Sequence, residues 1–131
     1  MTTAQFALPY PPSINHYYRV FRNRTVISAE GRAFRETVIQ QLRSEKGLPL
    51  LGTLDVALSI HPPDRRRRDV DNVQKALLDA LQHAGVFADD NQVKRLVSEM
   101  MDVDRAGGFV AVDIQPYCVR VTAAETKGEE T

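Results

Sequence analysis

Residues 53–60 alternate without a break. Leu54, Val56, Leu58 and Ile60 fall on one parity, and Asp55, Ala57 and Ser59 on the other. Side chains of a strand point to opposite faces in turn, so the run predicts a strand buried on one side. Soon afterwards the period changes. Val73, Ala76, Leu77, Ala80, Leu81 and Ala84 recur at helical spacing and predict an amphipathic helix starting at Asp71 or Asn72 and ending at Ala84. Gly85 follows it as a left-handed terminator. A strand and a helix this close, each apolar on one side, are expected to cover each other.

The other segments supply more of the same layer. Phe6 and Leu8 suggest a first strand, stopped by Pro9, Pro11 and Pro12. Residues 15–28 read as a β-ribbon turning at Arg22-Asn23-Arg24. Ser28 is a good N-cap for a helix reaching Lys46, with Phe34, Val38 and Leu42 as its buried stripe. Val93 to Val103 is extended, Asp104 to Gly108 reads as a hairpin connection, and Phe109 to Ile114 alternates again. The fold class is α+β: a single domain with a mixed β-sheet packed by two main helices. The domain is expected over residues 1–122, with 123–131 as a polar, flexible tail.

No apolar run approaches the roughly 20 residues of a membrane span, and the N-terminus lacks the basic flank of a secretory signal. A cytoplasmic protein with no membrane partner is expected. Cys118 is the only cysteine, which excludes an internal disulfide, and a buried side chain is expected for it. Seventeen basic residues balance seventeen acidic ones, which argues against a protein that coats nucleic acid indiscriminately. The charge is unevenly spread, however. Residues 1–50 carry seven basic against three acidic groups, and residues 101–131 three against six.

The densest charge lies between the best strand and the second helix, in Asp64–Lys75, DRRRRDVDNVQK. Asp69 and Asp71 stand two apart at a strand-to-helix junction. Carboxylates so placed can share a hard cation such as Mg2+, which keeps several waters. Asp71 is also a plausible helix cap, with Gln74 near the third helical position. Lys75 falls one turn after Asp71 on the same helix face, where an ammonium can support charge developing on a phosphate. Arg65, Arg66, Arg67 and Arg68 form either a solvated loop or a phosphate-binding one, since guanidinium groups offer paired donors to phosphate. In the ribbon, Arg19, Arg22 and Arg24 alternate with Tyr17, Tyr18 and Phe21, a composition suited to phosphate contact and base stacking. His61 is read as structural.

DRRRRDVDNVQKALLDAL followed by AGVFADDNQV resembles the RusA family of Holliday junction resolvases. LPYPPSINHYYR, RTVISAEGRAFRE and the HPPD lead-in resemble its pattern in the same order, so the likeness covers roughly residues 6–103. It implies a homodimeric crossover junction endodeoxyribonuclease that cuts four-way junction DNA symmetrically in recombination and repair, with Mg2+ or Mn2+ as cofactor. It implies that Asp69, Asp71 and Asp90 are the metal-binding acids and that Lys75 is the catalytic lysine. Arg65 to Arg68 become DNA-contact candidates, with Asn15, Tyr17 and Arg19 as further ones. Two rivals remain. One is a non-catalytic nucleic-acid-binding module with a basic arginine loop. The other is a Mg2+-dependent transferase using its paired aspartates to hold a nucleotide, although no glycine-rich phosphate loop is present.

Overall fold

The computed structural model describes residues 4–118, and the expected tail at 123–131 lies outside the described residues. Strands β1 (Ala4–Pro9), β4 (Leu54–His61), β5 (Val93–Met100) and β6 (Phe109–Pro116) form one sheet in the order β1-β6-β4-β5. β2 (Tyr18–Phe21) and β3 (Arg24–Ile27) form a separate two-stranded ribbon. The helices are a single turn, α1 (Ile14–Tyr17), and two long elements, α2 (Ala29–Leu42) and α3 (Val70–His83).

The parity of β4 decides which face carries the helices. Leu54, Val56, Leu58 and Ile60 are all buried. They join Phe6 and Leu8 of β1, and Val110, Val112 and Ile114 of β6, beneath the stripes of both helices. Those stripes are Phe34, Val38 and Leu42 in α2, and Val73, Ala76, Leu77, Ala80 and Leu81 in α3. On the opposite face β4 presents Asp55, Ala57 and Ser59, with Arg95 bridging Asp55 at 3.1 Å.

β5 runs parallel to β4, so β4–α3–β5 is a crossover unit, with α3 carrying the chain back to the start of the sheet. After β5 the chain crosses the end of β4. Met101 N–H donates to Ile60 O and Asp104 N–H to Pro62 O. β6 then pairs antiparallel with β4 on its other side and with β1 beyond. The expected hairpin at Asp104–Gly108 is therefore not one, because β4 lies between β5 and β6. Gly108 sits at the crossing with φ +76°, and a Cβ there would lie 2.8 Å from Pro63 N and 2.9 Å from His61 O.

Other expectations shift locally. Residues 14–17 form a helical turn, and the ribbon begins at Tyr18. α2 ends at Leu42 rather than Lys46. Ser28 caps it as expected, accepting from Gly31 N–H at 2.9 Å while donating to the Tyr17 carbonyl at 2.9 Å. Gly31 is where α2 meets this turn, since a Cβ on it would stand 2.3 Å from Tyr17 O. Cys118 is exposed, because it follows β6 where the chain has left the sheet.

Candidate active site and nucleic-acid interface

The loop from β4 to α3 is built around Asp64. Its carboxylate accepts from Arg66 N–H at 2.9 Å and from the Arg68 guanidinium at 2.8 Å. The same guanidinium nitrogen also reaches the carbonyls of Asp64 and Arg66, at 3.2 and 3.1 Å. The hydrogen bond from Arg68, then that from Arg66 N–H, pulls the Asp64 carboxyl down to about 2. Arg68 further lies over the Tyr10 ring at 5.4 Å. Arg68 thus folds the loop, and Arg65, Arg66 and Arg67 are left exposed. Among the described residues only Arg66 of these three is near an acid, 3.7 Å from Asp64, and it is itself largely solvated.

α3 starts at Val70 with Asp69 as its N-cap, two residues before the expected cap, Asp71. Asn72 N–H donates to the Asp69 carbonyl at 3.2 Å and closes the first turn. The Asp69 carboxylate makes no capping hydrogen bond, although capping is the usual employment of an acid there. Asp71 lies inside the first turn, so the alternative reading of Asp71 as a cap falls away. Both side chains are exposed and, among the described residues, neither has a hydrogen-bonded or ionic partner. Lys75 is exposed and makes no ion pair with Asp71. Its ammonium stands 5.2 Å from the Tyr18 ring centroid at the base of the ribbon.

Asp90 is positioned differently. It opens a 3-10 turn, Asp90–Gln92, directly before β5. Asp89 caps that turn, accepting from Asn91 N–H at 2.9 Å, while the Gln92 amide ties it to Leu50 O and Gly52 O. Asp89 is therefore occupied structurally, whereas Asp90 has no hydrogen-bonded or ionic partner among the described residues. β5 starts beside the start of β4, whereas α3 starts beyond its end. A helix of 14 residues spans about 20 Å at ~1.5 Å per residue. Asp90 thus lies at one end of α3 and Asp69 and Asp71 at the other. Accordingly, no three His, Cys, Asp or Glu side chains among the described residues are grouped to hold a metal ion. One chain brings together Asp69 and Asp71, the arginine loop and Lys75, but not Asp90.

Of the further DNA-contact candidates, Tyr17 is excluded by burial. Its ring is inaccessible and its hydroxyl donates to Asp79. Burial first, then this hydrogen bond, pushes the hydroxyl far above its ordinary range. Asp79 is also gripped by Arg35 at 2.7 and 3.0 Å. Burial raises the Asp79 carboxyl, but the hydrogen bonds from Arg35 and Tyr17 outweigh it and hold it below the usual range. An aromatic among arginines read as surface, and the acid that buries it comes from α3, 62 residues away. Arg19 is exposed in the ribbon. Asn15 belongs to α1, an element that packs against both α2 and α3.

The sequence reading missed a cleft of about 610 Å3 between Tyr10–Ser13 and Arg66–Asp69, with His16 and Asn72 on its walls. The Pro-Tyr-Pro-Pro-Ser run was the available signal, read as a stop to the first strand and as part of the family pattern but not as a cleft wall. The cleft joins an apolar wall to cationic and acidic groups, a combination that suits part of a nucleotide chain.

The described chain also resembles known proteins. The family model Endodeoxyribonuclease RusA matches residues 9–115. A crossover junction endodeoxyribonuclease RusA of Enterobacteria phage 82 is 45% identical over 108 residues, covering 82% of this chain and 90% of that protein. Proteins of the same name from Escherichia coli (strain K12) and Shigella sonnei (strain Ss046) are each 44% identical, with the same coverage. This chain belongs to the RusA family of endodeoxyribonucleases. The family match spans the arginine loop, all of α3, Asp90 and the whole of the crossover unit. No helix among the described residues is long and apolar enough to cross a membrane.

Proposed function

We propose that this chain is a cytoplasmic crossover junction endodeoxyribonuclease, a hydrolase that resolves four-way DNA junctions in recombination and repair. The observation that carries this reading is the pair of unpartnered carboxylates, Asp69 and Asp71, beside exposed arginines at the start of α3. Family membership supplies the substrate class.

The donor set fits a hard divalent cation. Two hard oxygen donors per chain suit Mg2+, or Mn2+ in its place, because such ions retain waters. When bound, the ion would polarise a phosphate oxygen and lower the pKa of a coordinated water. The chain's own groups account for the rest. Arg65, Arg66 and Arg67 anchor the flanking phosphates, and Arg68 with Asp64 holds the loop in shape. Lys75, one turn beyond Asp71, stabilises charge developing at the scissile phosphate.

The remaining carboxylate comes from a second copy. Asp90 lies the length of α3 away from its own Asp69 and Asp71. A two-fold partner with its strands reversed would bring its Asp90 end to this chain's Asp69 end. A homodimer then builds two sites related by symmetry, which matches the symmetry of a four-way junction.

The test is cleavage of a synthetic four-way junction with and without Mg2+. The wild type should nick opposing strands only with the metal. Asp71→Asn should bind the junction at least as tightly, having lost a negative charge near phosphate, while cleavage falls at least ~100-fold. Binding without nicking by the wild type in either Mg2+ or Mn2+ would establish the rival reading, a non-catalytic nucleic-acid-binding module.

A further inference from the structure

The β2–β3 ribbon stands apart from the main sheet, and its tip runs against ordinary surface chemistry. Val20 is 74% exposed and Phe21 47%. The turn between the strands, Arg22-Asn23, has φ of 51° and 62°, the type I′ geometry that matches strand twist and makes a stiff hairpin. Strand pairing assigns the faces. Phe21 is opposite Arg24, and Arg19 is opposite Val26, so these four share one face. Tyr18, Val20, Thr25 and Ile27 share the other. The tip therefore shows an apolar side chain on each face and arginines around it. The Arg19 and Arg22 guanidinium groups lie 5.2 and 5.3 Å from the Phe21 ring centroid. No acid occurs between Tyr18 and Ile27.

That charge decides the occupant. A second copy meeting this ribbon across a two-fold axis would oppose three arginines with three arginines. An anionic polymer that also offers apolar faces satisfies both features, and unstacked DNA does so. The ribbon's place supports the choice. Tyr18 at its base lies under the Lys75 ammonium. Three further residues at ~3.4 Å each put Phe21 about 10 Å from that point, within a nucleotide or two of the phosphate Lys75 would serve.

We infer that the β2–β3 ribbon is a wedge that enters the branch point of a four-way junction. Val20 and Phe21 meet unstacked bases on its two faces, and Arg19, Arg22 and Arg24 hold the phosphates on either side. This rests on the proposed function and adds the element that recognises the branch.

The experiment uses the full chain carrying Asp71→Asn, so that bound junctions stay intact. 2-Aminopurine placed beside the branch point reports unstacking by brightening. Binding should raise its fluorescence severalfold, and Val20→Ser with Phe21→Ser should abolish the rise and weaken junction binding about tenfold. Linear duplex binding, carried by the unchanged arginines, should not move. Phe21→Leu, still an apolar wedge, should keep the signal. A rise that survives the double serine variant, or an equal loss of junction and duplex affinity, overturns the wedge. If the Asp71→Asn protein shows no preference for junction over duplex, the functional reading fails first, and the two failures are told apart by that comparison.

Discussion

Asp79 joins three helices, and its replacement by alanine should be among the most damaging single changes away from the site. Its carboxylate accepts two hydrogen bonds from Arg35 and one from the buried Tyr17 hydroxyl. Removing it strands a guanidinium and a phenol together. A charge-assisted hydrogen bond contributes about 1.5–3 kcal/mol, and breaking a fully buried pair costs about 3–5 kcal/mol. Both side chains here remain one-fifth exposed, so the lower end applies, at about 3 kcal/mol. In a domain of this size that lowers Tm by about 10 °C. Circular dichroism melts of the wild type, Asp79→Ala, Arg35→Ala and the double variant measure it. The double variant should be less destabilised than the sum of the singles by about 1–2 kcal/mol. The pH dependence has a fixed sign. The folded carboxyl titrates below its unfolded value of about 3.9, so its contribution is complete above that pH and is lost as pH falls through the folded value. Wild type and Asp79→Ala should converge in stability in acid. A Tm loss below about 3 °C, under ~1 kcal/mol by the same conversion, or parallel profiles down to acid pH, would refute this account of the cluster.

Three further outcomes follow from other parts of the molecule. Replacing Arg66 and Arg67 with alanine should reduce the slope of log K against log salt by about 1.8, at ~0.9 per phosphate contact; an unchanged slope removes both from the DNA interface. Asp71→Asn and Asp90→Asn should each be inactive alone, yet a mixture allowed to exchange subunits should recover nicking of one strand, because one site of the mixed dimer is then intact. No recovery would mean that each chain builds its own site. Gly31→Ala should cost about 2–4 kcal/mol in denaturant unfolding, since its Cβ would collide with the Tyr17 carbonyl; a near-neutral result would show that α2 moves away from the turn at little cost.

The sequence was most informative where periodicity and burial coincide. β4 and α3 could be read directly because each carries a clean apolar stripe. The place of β5 could not, because an apolar strand does not encode the direction of its neighbour. Only the crossover through α3 makes it parallel, and that turned an expected hairpin into a passage over β4. The start of α3 was placed one or two residues late because Asp71, followed by Gln74, looks like a helix start by residue type. The structure puts Asp69 at the cap with its side chain unused. Tyr17 was misplaced for the opposite reason. Its neighbours in sequence are basic and exposed, while the groups that bury it come from α2 and α3. Asp90 was singled out only through the family resemblance, and its distance from Asp71 follows from the length of the intervening helix.

That length also bears on how such an activity would be restrained. Under the proposed function, a chain whose acids sit at opposite ends of one helix would hold two incomplete halves of a nuclease. A lone copy on intact duplex would then be harmless however long it stayed there. Cutting would begin only when a second copy arrives in the reversed orientation, so at low concentration the rate would rise with the square of the protein present. The rigidity of α3 would thereby make cutting depend on dose, with no inhibitor, cleavage or modification required.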